Sequence, residues 1–176
     1  MYESPAELAE LQGLLDTSLR GSTAHLRSIV APENTAPNTL NAEQLARALT
    51  GMCTLAISTV TAKGEPRISG VDGHFLHGRW IVGTDRGAAK ARHLAARPAV
   101  SVAHLRGEAL GVFTHGRAVP IAPPDADDPQ WPEVLDHLTR HYGSNPVTWG
   151  DIVYYRIEPH WMVAYCADPK QVLPDT

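Results

Sequence analysis

Residues 53–83 read CTLAISTVTAKGEPRISGVDGHFLHGRWIVG. Cys53, Leu55, Ile57 and Thr59 alternate with Thr54, Ala56, Ser58 and Val60, the period-two pattern of a strand with at least one buried face. Ala62-Lys63-Gly64 is a hairpin turn, and residues 66–71 begin the return strand. Phe75-Leu76 runs into a second turn at His77-Gly78, and residues 79–83 form a third strand. Three strands joined by short turns make an antiparallel meander.

Working outward, Thr84-Asp85 offers a helix cap and residues 87–96 read as helix, with Ala88, Ala91, Leu94 and Ala95 apolar and Pro98 as the stop. A fourth strand spans 99–105, turns at Arg106-Gly107, and leads into a long strand over 109–121. The Pro- and Asp-rich stretch 122–129 is a loop, and 131–142 is a helix with Val134, Leu135 and Leu138 inward. Two final strand pieces, 151–158 and 160–165, are broken at Pro159. Toward the N-terminus, 4–20 is an amphipathic helix with Ser4-Pro5 at its start and Leu8, Leu11, Leu15 and Leu19 at helical spacing. Residues 21–39 read as a polar connector, a surface wrap or mobile arm, and Asn41 caps a helix that ends at Gly51. The sum is six or seven mostly hairpin-linked strands with helices at the start and between them. This is a mostly β, α+β chain, and it fits a small closed barrel with attached helices better than a parallel sheet.

At 176 residues the chain has the size of one domain, with 1–39 as an N-terminal helix and arm. Hydrophobic residues at 43% exclude a disordered chain. A net charge of -4 argues against a mainly electrostatic nucleic-acid binder. No apolar run is long enough to span a bilayer, and the acidic N-terminus does not resemble a signal peptide, so a cytoplasmic location is expected. Cys53 and Cys166 are expected to be small buried thiols.

No CxxC, HExxH, GxSxG or GxGxxG motif is present, which removes the usual support for zinc, serine-hydrolase and Rossmann chemistry. The richest stretch is 66–94. Arg67 and Ser69 share one strand face, Thr84 closes the next strand, and Lys90 and Arg92 lie on the helix after it. Free amides in that helix's first turn, with Arg67 and Lys90, can hold a phosphate; solvated surface charges are the other reading. His137 and His141 sit at i, i+4 and can bind a metal, but with no Asp or Cys pattern beside them a solvated helix face is the expectation. His104 and His115 are placed to approach each other across the 106–107 hairpin, as ordinary polar strand positions or beside a flavin or haem. No residue stands out as a nucleophile or general acid or base.

In their order, Leu55 to Val60, Gly64, Pro66-Arg67, Thr84, Lys90-Ala91-Arg92, Leu94, Arg97-Pro98 and Val100 resemble the FMN-binding split-barrel family. That family includes the pyridoxamine 5'-phosphate oxidase-like proteins and the flavin/deazaflavin oxidoreductases. The stretches HLRGEALGVFTHGRA (104–118) and YYRIEPHWMVAY (154–165) are similar to its actinobacterial-type members, so the resemblance covers residues 42–166. It implies an antiparallel split β-barrel homodimer with a cofactor at the subunit interface and hydride transfer to a small molecule.

By the same resemblance, the cofactor-binding residues are Arg67, Ile68, Ser69, Gly83, Thr84, Lys90 and Arg92, with Trp161 lining the ring pocket alongside Tyr165. FMN is the first expected cofactor, followed by the 8-hydroxy-5-deazaflavin coenzyme (F-420) and then haem. Many members carry Ser or Arg two residues before the helix lysine, where this chain has Ala88. One charged hydrogen bond worth roughly 1.5–3 kcal/mol is then missing unless Arg86 or Arg92 substitutes. A carrier that binds a flavin, deazaflavin or haem without turnover is the alternative to an enzyme, and a barrel kept only for protein contacts is a third reading.

Overall fold

The computed structural model describes residues 2–173. Its helices are α1 (Pro5–Arg20), α2 (Ala24–Val30), α3 (Ala42–Ala48), α4 (Ala89–Ala96) and α5 (Trp131–Tyr142). Its strands are β1 (Met52–Val60), β2 (Pro66–Leu76), β3 (Arg79–Asp85), β4 (Ala99–Arg106), β5 (Leu110–Pro120) and β6 (Ile152–Cys166). All neighbouring strands are antiparallel, and the sheet closes in the order β1-β2-β3-β6-β5-β4.

The alternation of β1 decides which side becomes the interior. Cys53, Leu55, Ile57 and Thr59 are buried, while Thr54, Ala56, Ser58 and Val60 face outward. Leu55, Ile57, Trp80, Val82, Val102, Val112 and Met162 fill the barrel. Removing these side chains from water is the main stabilising term, at about 25 cal/mol per Å2 of apolar surface. The buried Trp80 indole donates to Thr114 Oγ1 at 3.2 Å, so its polar atom is satisfied inside the core. The His77-Gly78 turn has positive φ at both residues (55° and 72°), the geometry that matches the twist of a two-residue hairpin.

Two readings of the chain change. The 21–39 connector contains α2, capped by Thr23 and too short to announce itself by periodicity. The two final strand pieces are one strand, β6. Its pairing with β5 steps from His115↔Trp161 to Gly116↔Pro159, a bulge that lets Pro159 sit in a continuous strand. A Cβ on Gly116 would lie 2.3 Å from the Glu158 carbonyl oxygen, so the bulge needs a glycine there.

The N-terminal segment is stitched to β6. Met162 N–H donates to Ser18 Oγ (2.9 Å), Thr39 Oγ1 donates to the Ala164 carbonyl (2.7 Å), and Cys166 N–H donates to the Asn38 carbonyl (2.9 Å). A second apolar cluster, with Leu76, Ile81, Trp131, Val134, Leu138 and Tyr154, seats α5 on the outer face of β2, β3 and β6. Cys53 and Cys166 are buried free thiols, and burial pushes both thiols up. No helix among the described residues is long and apolar enough to cross a membrane.

Candidate functional site

β2 and β3 pair only from Gly73↔Val82 to Leu76↔Arg79. Beyond Gly73 they part, so residues 66–72 pair with β1 alone while Gly83 to Asp85 stay with β6. This is the split. Arg67 lies opposite Thr59 and Ser69 opposite Ile57, both of them interior positions, so Arg67 and Ser69 belong to the inner face. They are nevertheless exposed, because β3 no longer covers them. Ile68 points outward and is 75% exposed.

α4 flanks the same mouth. Thr59 Oγ1 and His93 Nδ1 lie 2.9 Å apart, which fixes the helix to the inner side of β1 across from Arg67. The N-cap residue is Ala88, with no side-chain cap, so first-turn amides stay open to an acceptor. Lys90, half-buried in that turn, has no hydrogen bond or ion pair among the described residues. Arg67 carries one ion pair, to Glu65 at 2.7 Å, and both side chains are over half exposed. Such a pair is worth at most about 1 kcal/mol, so the guanidinium can leave it for a stronger anion.

The two arginines offered as substitutes for the ligand missing at Ala88 are engaged. Arg86 is held by Asp125 (2.8 Å) and Asp151 (2.9 Å), and the Arg92 guanidinium donates to the Gly87 carbonyl at the start of α4. Gly83 is required by packing, since a Cβ there would meet the Tyr154 ring at 2.7 Å.

On the other side of the split, under α5, lies a cavity of about 220 Å3. Tyr142, Trp149, Tyr154, Ile81, Leu138 and Ile152 form its apolar walls; Asp72, His74 and Asp85 supply its polar ones. Trp149 ends a 3-10 turn (Pro146–Trp149) and meets Tyr142 edge to face, with ring centres 4.9 Å apart.

A directional hydrogen-bond chain ends at this cavity. Arg140 can only donate, and it donates to Tyr2 Oη (3.0 Å). With His137 neutral, the Tyr2 hydroxyl donates to His137 Nδ1 (3.0 Å), and His137 Nε2 donates to His74 Nδ1 (2.9 Å). His74 Nε2 donates to Tyr142 Oη (3.1 Å), whose proton goes to Asp72 Oδ2 (3.3 Å). The carboxylate end makes Tyr142 an acceptor from His74 Nε2, and with neutral rings the remaining tautomers follow. Their environment favours the neutral form of both imidazoles. Burial, then the neighbouring His137 and His141, depresses His74 to about 3, and burial lowers His137. Burial and the Asp72 charge push Tyr142 up to about 12, which keeps its proton in place.

His137 is therefore half-buried and bonded at both nitrogens, whereas its i, i+4 spacing with His141 suggested a solvated face. Its partner on β2, 63 residues away, leaves no local signal in the sequence. Among the described residues no cluster of three or more His, Cys, Asp or Glu side chains can hold a metal ion. His104 and His115 do not approach each other. His104 is buried, accepts from Arg106 Nε through Nε2, and faces the Thr54 carbonyl through Nδ1, while His115 is on the outer face. There His115 lies in the row Ile68–Ser58–Ser101–His115–Trp161, stacked on Trp161 with ring centres 4.6 Å apart. The structure thus brings Arg67 and Ser69 to the mouth flanked by Lys90 on α4. Thr84, in register with the inner residue Val153, turns to the inner face on the β3 side of the split, and Ile68 and Trp161 lie on the outside.

Several solved structures share the fold. A conserved hypothetical protein of Mycobacterium tuberculosis aligns at 16% identity and a TM-score of 0.61, over 81% of this chain and 95% of its own. The haem storage protein HutZ of Vibrio cholerae aligns at 20% identity and 0.54, over 70% and 88%. An F-420 reductase aligns at 19% identity and 0.51, over 65% and 92%. No curated protein matches by sequence. Residues 42–166 match the family described as pyridoxamine 5'-phosphate oxidase, the span from the start of α3 to the end of β6. With that match over most of its length, and with its barrel parting at β2 and β3, the chain belongs to the pyridoxamine 5'-phosphate oxidase family.

Proposed function

We propose that the protein is a flavin-dependent oxidoreductase that works as a homodimer, with FMN as cofactor and the 8-hydroxy-5-deazaflavin coenzyme as the alternative. One observation carries the reading: Arg67, the uncapped first turn of α4 and the unpartnered Lys90 flank the mouth where β2 and β3 part. These groups suit a phosphate, since a guanidinium fork, an ammonium and open amides offer complementary donors. Ser69 and the Thr84 hydroxyl are the remaining donors near the split, and the edge of residues 66–72 is open to a flat ring. When bound, the flavin supplies the hydride chemistry; the chain binds, orients and shields it.

A second copy suits the outer face. Beside the Ile68–Trp161 row runs Gly70–Ala56–Ala103–Phe113, a flat row of small residues ending in an aromatic, with Leu105 58% exposed nearby. An unpaired strand edge beside a flat apolar face is the kind of surface that a two-fold interface covers.

A non-catalytic carrier of flavin, deazaflavin or haem is the second reading, and one observation favours it. Partial burial lowers His115 from the usual histidine value, which favours the neutral ring, and its Nε2 has no partner among the described residues. The shared fold of a haem storage protein is compatible with this.

The test is the absorbance and mass of what co-purifies, followed by addition of a nicotinamide donor. A yellow protein that bleaches supports the enzyme. A chromophore that resists reduction supports the carrier. A chain that takes up neither flavin, deazaflavin nor haem overturns both.

A further inference from the structure

The cavity under α5 has no role in the phosphate site, and its lining selects a different kind of molecule. Its walls are aromatic and aliphatic, and its charged groups are Asp72 and Asp85 alone. Among the described residues no lysine or arginine lines it, and burial holds His74 neutral. The hydrogen-bond chain from Arg140 ends with Tyr142 donating its proton to Asp72 Oδ2, which makes the Asp72 carboxyl group the acceptor at the chain's end. Tyr142 and Trp149 meet edge to face beside that carboxyl group, so aromatic rings and an acidic side chain line one space.

We infer that this cavity is a binding site for a small organic cation that carries one aromatic ring, an arylalkylammonium. The ammonium would face Asp72, with Asp85 adding charge, and the ring would lie against Trp149 and Tyr142. At about 220 Å3 the space is below the ~300–1,000 Å3 of sites for drug-sized ligands, which limits the occupant to one or two rings. With no cation in the lining, a phosphorylated or carboxylated ligand is rejected. The inference does not depend on the flavin reading, since none of its acidic or aromatic groups belongs to the phosphate mouth.

Three probes of one shape test it on the protein as purified: 2-phenylethylamine (protonated at neutral pH), 2-phenylethanol and phenylacetate. Calorimetric titration is expected to give an amine affinity at least tenfold above that of the alcohol, and no binding of the carboxylate. Asp72→Asn is expected to erase the preference of amine over alcohol. Trp149→Ala, at a half-exposed position whose loss the fold tolerates, is expected to weaken both. Lys90→Ala is expected to leave amine binding unchanged while weakening the flavin, so the two sites fail or stand separately. Equal affinity for amine and alcohol, tighter binding of phenylacetate, a preference that survives Asp72→Asn, or no binding of any probe at millimolar concentration would each overturn the inference.

Discussion

Acidification should destabilise this protein through His74 more than its carboxylates alone predict. His74 is 2% exposed and held near a pKa of about 3 by burial and two neighbouring imidazoles, against 6.5 in the unfolded chain. Its folded pKa is depressed, so the folded state prefers the neutral ring. Between about pH 6.5 and pH 3 the unfolded chain binds a proton that the folded chain refuses, and stability falls as pH falls. Lowering the pH from 7.5 to 5 therefore costs about 2 kcal/mol from this one side chain. For a chain of this size that corresponds to a melting temperature lower by roughly 4–8 °C. His137, lowered by burial and by His141, adds in the same direction. Carboxylates such as Glu158, lowered by Arg156 and Arg79 against burial, also lose stabilisation in acid. The comparison with His74→Gln isolates the histidine, because glutamine keeps hydrogen-bonding capacity without titrating. Melting curves of both proteins across pH 5 to 7.5 are the assay. The variant is expected to be less stable at pH 7.5 and to lose about 2 kcal/mol less on acidification. Parallel curves for the two proteins would refute the neutral, buried His74 and with it the directional chain to Asp72.

Three further outcomes are expected. Gly116→Ala forces a Cβ against the Glu158 backbone at the β5–β6 bulge and should cost about 1–3 kcal/mol or more in denaturant titration; a neutral effect would mean the bulge is absent. Lys90→Ala and Arg67→Lys should each weaken cofactor binding, by about 1.5–3 kcal/mol for the lysine, at one fixed salt concentration; unchanged dissociation constants would remove the phosphate from this mouth. Ile68→Asp, on the exposed outer face, should convert a dimer to a monomer by light scattering without lowering the melting temperature of the isolated barrel; a wild type already monomeric at micromolar concentration would dismiss the interface.

The barrel was legible in the sequence because alternation is a local property. Cys53, Leu55, Ile57 and Thr59 declare the inner face of β1 without reference to any partner. The turns at Lys63-Gly64 and His77-Gly78 then fix the next two strands beside it. The grouping of Arg67, Ser69, Thr84 and Lys90 was also within reach, since all lie within two dozen residues on consecutive elements. Two things depended on the tertiary structure. Whether Arg67 and Ser69 are covered follows from where β3 leaves β2, and that is set by β3's pairing with β6, some 70 residues later. The cavity and its hydrogen-bond chain join Tyr2, Asp72, His74, His137 and Tyr142. These residues are far apart in the chain and unremarkable one by one. The neutral imidazole of His74 is favoured because water is excluded and a second imidazole stands 2.9 Å away, and neither condition is written in the order of residues.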